Sequence, residues 1–176
     1  MLWNAWELFL ERSRASHRLH DAGDIEVLQT VFQELQYVWL RRLDKLRQAI
    51  SLWRATTGGD QFRYPVDGSP VNVPEFAFDR IDQFVRLVTE QEKSLKNWFD
   101  RQGIVSMQVA YEDLLGNRTE VVLDVLRFLG VGDVEKVDIP QPEEIRQTDT
   151  HTERYISLYR QEFERRDSIE IRGQGA

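Results

Sequence analysis

Residues 41–54 read RRLDKLRQAISLWR and gather five basic side chains, Arg41, Arg42, Lys45, Arg47 and Arg54, in a chain whose net charge is −7. A guanidinium presents a planar fork of donors that matches the oxygens of phosphate or sulfate, and a nearby hydroxyl adds another donor. Arg41 and Arg42 follow an apolar run. Arg47, Ser51 and Arg54 recur at spacings of four and three, which puts them on one helical face. In open α/β sheets, anions bind at the carboxyl ends of strands, where helix N-termini present backbone N–H groups. If the run before Arg41 is a strand and a helix starts after Asp44, a guanidinium and the Ser51 hydroxyl meet at such a place. The alternative is that these arginines pair with Asp and Glu at a sheet edge and solvate the surface.

Other residues with chemical potential have plainer readings. Glu112 and Asp113 suit acid–base work, but pairing with basic side chains beside a packed Tyr111 is the simpler role. His17 and His20 fall at a helix end, where a cation complements the helix dipole, and His151 falls in a cap region. Trp53, Trp98 and Phe99 lie on helical stripes and read as core rather than as a nucleotide clamp. Phe62, Arg63 and Tyr64 sit in a loop and have the chemistry to touch a sugar.

Composition narrows the classes. With 176 residues the chain fits one soluble globular domain. There is no cysteine, hence no disulfide and no thiolate nucleophile, which is compatible with a reducing, cytoplasmic location. Three scattered histidines without cysteine argue against a zinc site. No apolar stretch reaches the ~18 residues of a membrane span. The apolar start MLWNAWELFLERSR is broken by Asn4, Glu7 and Glu11 and does not read as a secretory signal. The net charge of −7 argues against binding nucleic acid.

The elements that must position these residues are mostly helices. Residues 2–18 form an apolar-faced helix without an N-cap, and Asp24 caps a second one carrying Ile25, Leu28, Phe32 and Leu35. Residues 36–41, QYVWLR, are apolar on both faces and read as a buried parallel strand. Asp44 caps a helix whose core face is Leu46, Ala49, Ile50 and Trp53. Residues 56–74 hold three prolines and three glycines and form a long loop. A helix over 75–101 follows, with Ile81, Phe84, Val85, Val88, Leu95, Trp98 and Phe99 on its stripe and Gly103 as its stop. Residues 104–110 are a second strand. Asn117 and Glu120 have capping-box spacing, and Gly130 ends the helix they open. A loop then leads to a last helix with Thr150 and Glu153 at its cap and Tyr155, Tyr159 and Phe163 on its stripe. The order is that of an α/β fold, predominantly helical with few parallel strands. Two strands do not make a stable sheet alone, so further strands or another segment must complete it.

Three blocks resemble the bacterial PAPS-dependent sulfotransferases of the trehalose, glycolipid and lipopolysaccharide type (PAPS is 3′-phosphoadenosine 5′-phosphosulfate). WLRRLDKLRQAISLWRA is similar to their 3′-phosphate-binding segment, YEDLLGNRTEVVLDVLRFLGV to their Tyr-Glu-Asp-Leu segment, and RQTDTHTERYISLYRQEF to their closing Arg-Gln-x-Asp segment. The resemblance covers residues 1–166, leaving 167–176 as a flexible tail. It implies an incomplete P-loop NTPase-like sulfotransferase fold. It also implies PAPS or its product PAP as nucleotide cosubstrate and a carbohydrate acceptor. Arg42 and Ser51 would contact the 3′-phosphate, and Arg146 would lie near the nucleotide.

The family's Pro-Arg-Ser-Gly-Ser-type 5′-loop has no counterpart among the ten glycines, and TTGGD at 56–60 follows a helix rather than a strand. The expectation is therefore a partial sulfotransferase domain that keeps the 3′-phosphate segment and lacks the sulfuryl cradle. No catalytic residue is assigned within it. A different outcome is a non-catalytic module that forms a homodimer through surface left by the missing part, with Leu2, Trp3, Trp6 and strand 36–41 as its candidates.

Overall fold

Helical periodicity and turn residues account for most of the element order. A computed structural model describes residues 2–32, 34–57, 74–140 and 150–173. The helices are α1 (Leu2–His17), α2 (Asp24–Val31), α3 (Lys45–Thr57), α4 (Phe78–Gln102), α5 (Tyr111–Gly116), α6 (Arg118–Phe128) and α7 (Thr150–Gly173). The strands are β1 (Val38–Arg41) and β2 (Met107–Ala110), and Val134–Lys136 makes one 3₁₀ turn. The chain divides into two compact units, one of residues 1–43 and 90–140, the other of residues 44–89 and 141–176.

The first unit holds α1, α2, the second half of α4, the two strands, α5 and α6. Its core is Leu10, Val27, Leu28, Trp39, Trp98 and Phe99. Aromatic rings dominate it: Trp6 meets Trp98 edge-on at 5.3 Å, and Trp39 meets Phe99 at 5.6 Å. Gly23, not Asp24, occupies the cap position of α2. Asp24 is needed elsewhere. One carboxylate oxygen accepts the Trp98 indole N–H at 2.6 Å and the other pairs with Arg14. Helix α1 closes on Arg18 in the left-handed region (φ 59), and the Leu19 N–H reaches back to the Arg14 carbonyl at 2.9 Å. Gly103 and Gly130 end α4 and α6 with φ of 66 and 69, conformations that only glycine adopts without cost.

The strands pair in parallel with Val38 opposite Met107 and Arg41 opposite Ala110. Among the described residues they make a two-stranded sheet. The strand expected over 36–41 is shorter, and it is not buried on both faces. Trp39 and Val109 face the core, while Leu40 is 57% exposed and Val38 is 38% exposed. The reason is geometric: successive side chains of a strand face opposite ways, and the elements of this unit cover one side. Helix α6 has no fully buried residue, so its apolar stripe is only partly covered.

The second unit packs α3 and α7 with the first half of α4. Ile50, Trp53, Ile81, Tyr155, Ile156 and Tyr159 form its core. Ile50 and Ile81 are fully buried, each worth about 1.5–3 kcal/mol relative to an exposed side chain. Burial, reinforced by a hydrogen bond donated to Asp82 at 2.8 Å, pushes the Tyr159 phenol well above its ordinary pKa. Helix α7 runs on to Gly173, past the boundary at 166 where the sequence reading sets a loose tail. Phe163, expected on the buried stripe, is 52% exposed.

Candidate functional site

In the first unit, the two parallel strands end side by side at Arg41 and Ala110. Arg41 projects back onto its own strand. Its guanidinium lies 4.7 Å from the Trp39 ring and donates to Glu92 at 2.7 Å and to Gln108 at 2.8 Å. This arginine is occupied in holding the sheet edge to α4, which is the plain reading of a strand-end arginine.

Arg42 is placed differently. Its guanidinium lies 4.8 Å from the centre of the Tyr111 ring, where the positive charge meets the negative face of the aromatic. Tyr111 begins α5 directly after β2, so the residue following one strand lies over the ring of the residue following the other. The next residue on each side is also joined. Both oxygens of Glu112 accept the Leu43 backbone N–H, at 3.1 and 3.0 Å. Glu112 thus anchors the loop after β1. A cation over an aromatic face is held by the ring without a hydrogen bond to it.

In the second unit, Asp44 caps α3 as its position predicts: Oδ1 accepts the Arg47 N–H at 2.8 Å. Arg47, Ser51 and Arg54 share a face of the helix, and the two arginines reach the first turn of α7. Arg47 donates to Glu153 at 2.6 and 3.3 Å. Those bonds raise its pKa above the ordinary arginine value, against the opposing effect of burial. Arg54 is 4% exposed and donates to the Thr152 hydroxyl at 2.9 Å. Ser51 lies between them and is half-buried. The sequence reading missed the partnership of α3 with Thr152 and Glu153. Its one signal was polar residues at the start of α7.

The remaining candidates resolve simply where they are described. Trp53, Trp98 and Phe99 are core. His17 contacts the Ser13 carbonyl of its own helix at 3.0 Å. Trp6, a candidate for exposed surface, instead packs against the first core and stacks on Phe9. Arg146, Phe62, Arg63, Tyr64 and most of TTGGD lie outside the described residues. Among the described residues no group of His, Asp and Glu is arranged to hold a metal ion, and no helix is long and apolar enough to cross a membrane.

A sequence model of the Stf0 sulphotransferase family matches residues 1–162. The chain is 26% identical over 166 residues to a trehalose 2-sulfotransferase of Mycobacterium tuberculosis, covering 94% of this chain and 61% of that protein. It is 25% identical over 166 residues to a trehalose 2-sulfotransferase of Mycolicibacterium smegmatis, with the same coverage. The chain thus spans 61% of the length of these relatives.

Proposed function

The chain belongs to the Stf0 sulphotransferase family, and from that premise we propose that its residues serve the transfer of a sulfuryl group from PAPS to a hydroxyl of a carbohydrate or glycolipid. The architecture that goes with this reading is a P-loop-like α/β sulfotransferase fold. Arg42 and Ser51 are its 3′-phosphate contacts, and Arg146 is a further nucleotide contact. The observation that carries the reading is Arg42 at the carboxyl end of a parallel strand, held against Tyr111, in the position where α/β sheets bind anions.

In such a transfer the acceptor oxygen bonds to sulfur, the bond from sulfur to the bridging phosphate oxygen breaks, and the acceptor's proton passes to a base. Catalysis rests mainly on positioning and on stabilising charge on the transferred group and the leaving phosphate. The residues assigned here act on position. They fix the nucleotide by its 3′-phosphate and do not touch the reacting sulfur. None of the 176 residues is assigned to the sulfuryl cradle or to the base.

Phosphorus NMR of adenosine 3′,5′-bisphosphate tests this directly. On adding protein, the 3′-phosphate resonance is expected to shift and broaden more than the 5′-phosphate resonance, and the effect is expected to vanish in Arg42→Ala. Equal response of both phosphates, or none at millimolar nucleotide, contradicts the assignment.

A second reading, a non-catalytic module that dimerises, is favoured by the exposure of Val38, Leu40 and Leu43 along and just beyond β1. Sedimentation distinguishes it. Concentration-dependent dimerisation abolished by Leu40→Lys, with no nucleotide binding, is its signature.

A further inference from the structure

We infer that Tyr111 is a positioning residue for Arg42, so that the start of α5 sets the aim of the phosphate-binding arginine. This rests on the nucleotide reading above and extends it to a residue with no assigned role. Three observations converge on it. The Arg42 guanidinium lies 4.8 Å from the Tyr111 ring centre. The Glu112 carboxylate grips the Leu43 N–H with both oxygens, at 3.1 and 3.0 Å, so the backbone on the far side of Arg42 is tied to the same helical turn. On the near side, β1 pairs with β2 up to Arg41 opposite Ala110, the residues immediately before Arg42 and Tyr111.

The physical consequence is pre-organisation. A long arginine side chain loses rotamer entropy when it engages a ligand, and a ring that already holds the guanidinium in place removes part of that loss. Tyr111 touches no phosphate in this account. It narrows the orientations of the group that does. The aromatic face is the active element, so phenylalanine serves and an aliphatic residue does not.

Two measurements test this. The first needs no ligand: Arg42 side-chain proton resonances of the folded protein are expected to be shifted upfield by the ring and to return to ordinary values in Tyr111→Leu. Ordinary values in the unsubstituted protein overturn the inference. The second compares affinity for adenosine 3′,5′-bisphosphate and adenosine 5′-phosphate. Tyr111→Leu is expected to weaken the bisphosphate about tenfold and leave the monophosphate unchanged, with Tyr111→Phe restoring binding. Loss of bisphosphate binding in Arg42→Ala but not in Tyr111→Leu overturns this inference alone. Failure of the unsubstituted protein to bind the bisphosphate overturns the nucleotide reading, and this inference with it.

Discussion

Arg54 and Thr152 stand 98 positions apart in the chain and meet inside the second unit, where the buried guanidinium donates to the hydroxyl at 2.9 Å. Both residues are buried, at 4% and 6% exposure. Removing an acceptor from a buried charged donor costs more than the bond itself contributes, because the donor stays desolvated. Thr152→Val keeps the volume and loses the oxygen. It is expected to destabilise the protein by about 1–3 kcal/mol in urea unfolding, with Thr152→Ser close to the parent. Equal midpoints for the valine and serine variants would contradict this.

Asp24 plays the corresponding part in the first unit. It accepts the indole N–H of Trp98, which is 3% exposed, and pairs with Arg14. Asp24→Ala is expected to cost roughly 1–3 kcal/mol and to change the near-ultraviolet circular dichroism of the buried tryptophan. Asp24→Asn retains an acceptor oxygen and should fall between. An alanine variant as stable as the parent would show that the contact carries no weight.

Acid should break one ion-pair cluster on the surface of the last helix in a defined window, with a small effect on stability because the pairs are solvent-exposed. Hydrogen bonds from Arg165 and then Arg166 hold the Glu162 carboxyl at about 2, below its ordinary 4.5. A depressed carboxylate pKa contributes stability that is complete above 4.5 and is lost as pH falls towards 2. Carbon-detected NMR of the Glu162 carboxyl should therefore show a midpoint near 2, moving up in Arg165→Gln. A midpoint of 4.5 in the intact protein would rule the pairing out.

At the alkaline end the sign reverses. Burial, and then the bond to Asp82, raise the Tyr159 pKa above the ordinary 10.0. A raised pKa contributes stability that is whole below 10.0 and disappears as pH rises through the folded value. Absorbance at the tyrosinate band should show Tyr159 ionising after the exposed tyrosines, later than burial alone delays Tyr37, and Tyr159→Phe should remove the latest step. Simultaneous ionisation of all tyrosines would contradict the buried contact.

Much of the architecture was legible because it is local. The stripe Ala49, Ile50, Trp53 announces the buried face of α3, Asp44 its cap, and Gly103 and Gly130 the left-handed stops of α4 and α6. The parallel pairing of β1 and β2 followed from a strand–helix–strand order. What remained hidden depends on partners far away in sequence. The spacing of Arg41 and Arg42 says nothing about Glu92 taking one and Tyr111 the other. Asp24 has the sequence context of a cap, and only the arrival of Trp98 and Arg14 moves it from that duty. The exposed side of β1 is likewise set by what packs on it. Val38 and Leu40 are apolar enough for a strand covered on both faces, and composition alone does not say which faces are covered. The roles of Arg42, Ser51 and Arg146 rest on resemblance to a family, since no periodicity separates a phosphate-binding arginine from one that binds a carboxylate.

Calorimetric titration of adenosine 3′,5′-bisphosphate into the protein and into Arg42→Ala tests the central claim most directly. A charge-assisted contact to phosphate predicts saturable binding that weakens about ten- to a hundredfold in the variant. Identical affinities, or no heat from the unsubstituted protein at millimolar nucleotide, would contradict it.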